Sequence, residues 1–346
     1  MAGAAFAGPQ PAIAAPSAAE RDIFLGSVED PPARKLLGVA EAFEGRHYTT
    51  GDEFNPNVWF SHVQNLGGGY VGVGSDQAYL NIGWARPEWA WLIDYDPLVL
   101  DLHAIYRIFL TEAASVEEFL QFWAAGREAV ALDRIDHHFA DSPKHKTYRE
   151  IYSRNRANIW YRFTLLRRQM QKVKTPCWLT DPEMYSYVRA LVMAGRVRPI
   201  SANLLENKGI LGIAAAARKL GVTVRLLYLS NAEEYWTYGR NFRENIAALP
   251  MDEKSRVLRT LSSFSANRDY RYNVQPGLLF QAWLARPQVL KVRQIVNQRR
   301  ELKDPSDVEI TFTEREPPAM PKTAQPKIAQ PKPAQPKPDQ PKTPRL

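Results

Sequence analysis

Between Tyr70 and Leu110 the chain switches its hydrophobic period from strand to helix twice, and that alternation constrains the fold more than any other feature. Tyr70-Val-Gly-Val-Gly74 is a short apolar run that ends in a glycine turn. The residues from Ser75 to Trp84 then read as a helix with Ser75 as its N-cap. Trp89-Ala-Trp-Leu-Ile93 is again apolar without interruption and closes on Asp94-Tyr-Asp96, after which Pro97 opens a second helix through Leu110. Parallel strands need a crossover, usually a helix, so this order points to a parallel sheet.

The pattern pauses and resumes. Residues 115–180 read as helical throughout. Beyond them a helix (182–194) precedes a strand (197–204), a helix (209–220) precedes a strand (222–229), and an amphipathic helix (233–248) precedes a strand (255–261). A shorter element at 270–274 and a helix at 278–285 follow. Five or six strands joined through helices predict an α/β fold with a doubly wound, mostly parallel Rossmann-like sheet. The helical stretch 115–180 is then an insertion after the second strand unit. Residues 21–315 make up this single domain, with a further helix expected at 33–44. Residues 1–20 are rich in Ala and Pro and carry no basic residue. A secretory signal needs a basic start and an unbroken apolar stretch, so a disordered leader is expected there.

Net charge, +8 over the chain, would suggest nucleic acid as a partner if it were evenly spread. It is not. Residues 316–346 hold six basic and two acidic residues and ten of the 26 prolines, with Pro-Lys recurring every five residues from 321 to 342. Proline fixes its own backbone and lacks an amide donor, so a disordered, extended tail is expected. Residues 144–174 hold ten basic residues against one acid, and the remainder of 1–315 is net acidic. A helix over 149–172 accounts for this run, with Tyr152, Ile159, Phe163, Leu166, Met170 and Val173 as its apolar seam. Its basic residues are spread over the remaining circumference: a solvated surface, or a contact for an anionic partner.

Several classes are excluded. The single cysteine, Cys177, allows neither a disulfide framework nor a cysteine zinc cluster. No apolar run reaches the ~20 residues needed to cross a bilayer, so no transmembrane segment is expected, and the protein reads as cytoplasmic. Gly-x-Ser-x-Gly, Walker and His-Glu-x-x-His motifs are absent.

In an open α/β sheet, ligands bind beyond the carboxyl ends of the strands, where strand order reverses. Gly72 and Gly74 would let the backbone approach a ligand beside a helix N-terminus, with Ser75 and Asp76 next to them. Asp94, about 20 residues on, sits where a Rossmann site places a carboxylate on ribose hydroxyls. Gln77 stands in place of the third glycine of the dinucleotide fingerprint, which disfavours a nicotinamide cofactor. Asp94 and Asp96 together also resemble the Asp-x-Asp that holds a divalent metal and a nucleotide sugar. Asp133, Asp136, His137, His138 and His145 form the histidine cluster of the chain, read as surface or capping residues, and no metal is expected. Asn231 reads as an N-cap with Glu233 and Glu234 in the first helical turn.

S-adenosylmethionine-binding Rossmann proteins tolerate the looser glycine pattern seen here, and the inferred sheet resembles theirs. That resemblance implies Asp76 in place of the acid that usually precedes the turn, and Asn203 or Glu206 at the adenine. Read together, Gly72-Val-Gly-Ser-Asp-Gln77, Leu92-Ile-Asp-Tyr-Asp96, Ile200-Ser-Ala-Asn-Leu204, Tyr228-Leu-Ser-Asn-Ala-Glu-Glu-Tyr-Trp236 and Leu258-Arg-Thr260 resemble a family of largely uncharacterised bacterial proteins. Some of its members are labelled leptospiral lipoproteins. The similarity spans residues 23–285 and is most specific at Ser230 to Trp236. The family resembles the methyltransferase-like Rossmann superfamily. It implies an adenosyl cofactor, S-adenosylmethionine, held by Gly72, Gly74, Ser75, Asp76, Asp94, Asp96, Asn203, Ser230 and Asn231. Methyl transfer to an unidentified small or macromolecular acceptor would follow, with Glu233 or His137 as general base. Two alternatives stand beside it: an inactive Rossmann scaffold that binds a partner through its basic helix and proline tail, and a metal-dependent nucleotide-sugar transferase using Asp94 and Asp96.

Overall fold

The computed structural model describes residues 13–31, 47–262, 269–298, 300–303 and 309–319. The helix expected at 33–44, the start of the leader and the proline repeats beyond residue 319 lie outside the described residues.

Eight strands form one sheet in the order β3-β2-β1-β4-β5-β6-β8-β7. They are β1 (Gly69–Val73), β2 (Trp89–Asp94), β3 (Val197–Ser201), β4 (Val224–Tyr228), β5 (Arg256–Ser262), β6 (Tyr270–Pro276), β7 (Arg300–Lys303) and β8 (Glu309–Phe312). The first five run parallel. Strand β6 is antiparallel to β5, β8 is parallel to β6, and β7 closes the edge antiparallel to β8. The fold is thus the expected Rossmann-like, doubly wound, mostly parallel α/β sheet. Short β7 and β8 add two strands that carry no long apolar run to announce them.

The helices are α1 (Ala18–Leu25), α2 (Phe60–Val63), α3 (Gln77–Ala85), α4 (Pro97–Glu112), α5 (Val116–Gln121), α6 (Glu128–Phe139), α7 (His145–Lys172), α8 (Pro182–Met193), α9 (Gly209–Lys219), α10 (Arg240–Ala248), α11 (Gly277–Leu284) and α12 (Val292–Val296). They cover both faces because the strands are apolar on both. Tyr70, Ala90 and Leu92 point into a core shared with α3, α4 and α5–α8. Val71, Trp89, Trp91 and Ile93, at the alternate positions, point into a second core with α1, α9, α10, α11 and α12. Helices α5–α7 are the insertion after the second strand unit.

Four expectations need correction. Residues 17–20, expected in a disordered leader, are structured: Ser17 and Glu20 form a capping box for α1, whose Phe24 is fully buried against Trp89 and Trp91 at ring distances of 4.7 and 5.2 Å. Helix α3 starts at Gln77 with Asp76, one residue beyond Ser75, in the N-cap position, and the Asp76 carboxylate turns to Gly51 and Arg162 instead of capping the helix. The helix expected at 233–248 is broken into a 3-10 turn (Ala232–Tyr235) and α10, because Glu233 turns inward to a buried arginine. Helix α7 starts at His145, and its seam of Tyr152, Ile159, Phe163, Leu166 and Met170 is buried, with half-buried Val173 as its C-cap.

The basic run on α7 is largely answered by acids from elsewhere in the chain. Arg149 pairs with Asp136, Arg156 with Glu128 at 2.8 Å, and Arg167 with Glu117 at 3.4 Å. Arg162 is buried and pairs with Asp76 at 3.0 Å. Lys146, Arg154, Arg168 and Lys172 remain exposed, a thinner positive surface than the composition suggests. No helix among the described residues is long and apolar enough to cross a membrane.

Candidate functional site

Strand order reverses between β1 and β4, and a cavity of about 450 Å³ opens over the carboxyl ends of β1, β2, β3 and β4. That volume falls in the usual range for small-molecule sites, roughly 300–1,000 Å³. Each strand contributes the residues that follow it: Gly74, Ser75 and Gln77 after β1, Asp94, Tyr95 and Asp96 at the end of β2, Ala202 to Leu205 after β3, Ser230 and Asn231 after β4.

The cavity is roofed by a segment that precedes β1. Tyr48, Thr50, Gly51, Asp52 and Glu53 all line it. This strap has no regular structure, so its polar groups are satisfied by distant side chains. Thr49 donates to Asn155 on α7 (3.0 Å), and the Gly51 amide donates to Asp76 (2.5 Å). Arg162 donates to the Glu53 carbonyl (2.7 Å) and the Asn55 amide to Asp269 and Tyr272 (3.1 and 2.9 Å).

Gly74 is the turn glycine the sequence pointed to. Its φ of 84° lies in the left-handed region, and a Cβ there would meet nothing within 4 Å, so ligand space adjoins it. Its carbonyl is held by buried His103, whose Nε2 donates at 3.1 Å while Nδ1 lies 3.0 Å from Tyr79 Oη. Burial pushes that imidazole down to about 4, so it is neutral and purely positional.

Asp94 ends β2 and faces the cavity. Burial pushes its carboxyl up to about 7, and the Asp96 charge adds to the rise, although Asp94 accepts from the Asp96 amide at 2.9 Å. Glu53, in the strap, is also raised by burial, with the charge of Asp52 adding. It accepts hydrogen bonds from Tyr228 Oη and from Ser230 Oγ (3.2 Å). Burial thus raises a carboxyl in the roof and one in the floor of the same cavity, the direction that suits a group for proton transfer. Glu53 escaped the sequence reading: it sits in an aperiodic loop, and only the polar run Thr49-Thr-Gly-Asp-Glu53 marks the place.

The other candidates divide. Ser75, Asn203, Ser230 and Asn231 line the cavity. Asn203 Oδ1 already accepts from the Leu205 amide (2.9 Å), and Ser230 adopts a left-handed φ of 50°. Asp96 lines it too, but its carboxylate caps α4 through Leu98 (2.9 Å) and pairs with His47 (2.6 Å). The Asp94/Asp96 pair is therefore not a free two-carboxylate clamp for a metal. Asp76 does not line the cavity; its carboxylate is fully buried under Gly51 and Arg162. Gly72 lies inside β1, where a Cβ would come 2.0 Å from Tyr70 Oη, so packing and not ligand access requires the glycine.

Neither candidate base is at the cavity. Glu233 is 1% exposed and bound to Arg259 (2.6 Å) and Tyr238 (2.5 Å). His137 is an exposed residue of α6, beside His138. In the histidine cluster, Asp136 pairs with His145 (2.7 Å) and Arg149, and its carboxyl is held below the usual range chiefly by Arg149. Among the described residues no three acidic, histidine or cysteine side chains are grouped to hold a metal.

A search of the curated proteins returns no match. The domain of unknown function DUF7790 matches residues 48–312, which takes in the strap, all eight strands and the whole cavity wall. The chain belongs to that family.

Proposed function

We propose that the crevice binds an adenosyl cofactor, S-adenosylmethionine, and that the protein transfers a methyl group to an acceptor. The observation that carries this reading is the pairing, on one cavity wall, of the open left-handed turn at Gly74 with the cavity-facing carboxyl of Asp94 at the end of the neighbouring strand. Val73, Val99, Ala202 and Leu204 supply apolar lining suited to an adenine ring, and Asp94 suits ribose hydroxyls. The cofactor would bring a methyl carbon already activated by its sulfonium. The chain's own task is then to position an acceptor and take up its proton, since positioning supplies most of the rate in such displacements. Glu53, buried and with its carboxyl raised, is the cavity residue placed to accept that proton.

The test is a thermal-shift titration with S-adenosylmethionine, its demethylated product, NAD, and a nucleotide sugar with Mn²⁺. Ligand at ~100 times its dissociation constant adds about 2.7 kcal/mol of stability. A rise with the first two alone supports the reading. Flat curves with all four leave a non-catalytic scaffold, and a rise only with the last turns the assignment to sugar transfer.

Asp94 gives a pH signature. A ligand hydroxyl donates to the carboxylate, so affinity should climb as pH rises through about 7 and weaken about tenfold per unit below it. Asp94→Asn should bind about ten- to a hundredfold more weakly and flatten the profile. The linked stability runs the other way. A folded pKa above the unfolded one means stability present at low pH and lost as pH rises through about 7, a loss that Asp94→Asn abolishes. Parallel profiles in the two proteins would remove Asp94 from the ligand contacts.

A further inference from the structure

The chain is strongly basic overall, yet among the described residues no basic side chain reaches the cavity wall. Asp52, Glu53, Asp94 and Asp96 line it, and among the described residues no lysine, arginine or histidine does. Two basic side chains beside the lining residues are already paired. Arg162 binds Asp76, the Glu53 carbonyl and Gln77, and His47 binds Asp96. A phosphorylated ligand would meet carboxylates with no cation to offset them, which costs several kcal/mol in a desolvated site.

The remaining walls suit the opposite charge. Tyr48, Tyr95, Tyr235, Trp236 and Tyr270 ring the acids, and Tyr48 and Tyr235 keep 54% and 40% of their surface exposed. Aromatic faces attract organic cations, most strongly where water is excluded. The acids also crowd one another: Asp52 raises Glu53, and Asp96 raises Asp94. A bound cation relieves that repulsion.

A second, independent observation concerns Gln77. It is 2% exposed, lines the cavity and stands where a dinucleotide fingerprint has its third glycine. Its Oε1 accepts from Arg162 at 3.2 Å, which fixes the carboxamide and leaves Nε2 with no partner. A buried amide donor without an acceptor is costly, so the arrangement is completed by an oxygen on a ligand.

We propose that the cavity is a receptor for an aliphatic amine in its ammonium form, one that also carries an acceptor oxygen. The ammonium is held between Asp52 and Glu53 beneath the aromatic rim, which leaves Asp94 to the ribose, and the oxygen accepts from Gln77 Nε2. As an assignment of the ligand it rests on the cavity alone; as an assignment of the methyl acceptor it rests also on the methyl-transfer reading, in which the ammonium would first give a proton to the Glu53 carboxylate and the freed nitrogen lone pair would take the methyl carbon as its bond to sulfur breaks, the electron pair staying on sulfur.

The experiment is calorimetric titration of the full chain with linear amino alcohols and diamines of increasing length, their neutral diol counterparts, and inorganic pyrophosphate. An Nα-acetyl-lysine methylamide arm separates a free amine from a lysine side chain of a protein. Saturable binding of at least one ammonium probe is expected, weakening with ionic strength, with no binding of the matching diol or of pyrophosphate. Asp52→Asn, which changes an exposed rim carboxylate, should weaken that binding about tenfold or more. Binding of pyrophosphate, equal binding of amine and diol, no binding of any ammonium probe, or unchanged affinity in Asp52→Asn would each overturn the proposal. Every titration is repeated with S-adenosylmethionine present. Amine binding with no cofactor response sinks the adenosyl reading alone, and cofactor binding with no amine response sinks the amine alone.

Discussion

Replacing Arg162 with methionine is expected to destabilise the protein by about 3–5 kcal/mol and to lower its melting midpoint by roughly 5–15 °C. Arg162 is 5% exposed and its guanidinium makes three hydrogen bonds: to Asp76 at 3.0 Å, to the Glu53 carbonyl at 2.7 Å and to Gln77 at 3.2 Å. Burial works against its charge, but Asp76 and Glu53 outweigh that and hold the proton more firmly than usual. Removing it strands a fully buried Asp76 carboxylate, which is the expensive half of breaking such a pair. The double variant Arg162→Met with Asp76→Asn should recover part of the loss, because no uncompensated charge is left. Calorimetry of the four proteins of this cycle checks the claim, and an unchanged midpoint in the single variant defeats it. Arg162 also ties the roof to the insertion, so the single variant should lose ligand affinity along with stability.

Arg259 should be as costly to lose, and for the opposite functional consequence. It is fully buried, donates to Glu233 (2.6 Å), Asn273 (3.1 Å) and Gln275 (2.7 Å), and lies over the Phe280 ring at 4.6 Å. Arg259→Met is expected to cost about 3–5 kcal/mol by leaving Glu233 unpaired in the core. Glu233→Gln, which keeps the shape and removes the charge, should destabilise by less. Neither residue lines the cavity, so the surviving folded protein should bind cavity ligands with wild-type affinity. Denaturant unfolding paired with ligand titration distinguishes this from a catalytic role: a stable Glu233→Gln protein with altered ligand handling would restore Glu233 as a site residue.

These two arginines also show where sequence reading reached and where it stopped. The apolar runs of β1 to β5, the helices between them and the glycine turn were legible because each is a local pattern with its own period. Asp94 was legible for the same reason, standing at the end of such a run. Arg162 was not. It belongs to the basic run of residues 144–174, so it read as surface, while its partner Asp76 lies 86 positions earlier. Glu233 read as a first-turn acid behind the Asn231 cap, whereas its fate is set by Arg259 on β5. The cavity roof was hidden most completely. Asp52 and Glu53 follow no period, and only tertiary placement over β1, β2 and β4 gives them a role. The net acidity of the chain outside 144–174 was the one hint that the basic helix would find its partners at home.

The strap also dates the site within the life of the chain. Asn55 is held by Asp269 and Tyr272, residues 214 and 217 positions downstream, and Glu53 by Tyr228, 175 positions downstream. A nascent chain that has already made the glycine turn and Asp94 therefore owns the floor of the crevice but not its roof. Ligand capture waits until β6 has left the ribosome, and no N-terminal fragment, however well its first strands pair, can act as a smaller working version of the protein. Contacts of such long sequence separation also slow folding, so ligand competence should be the last property to return on refolding.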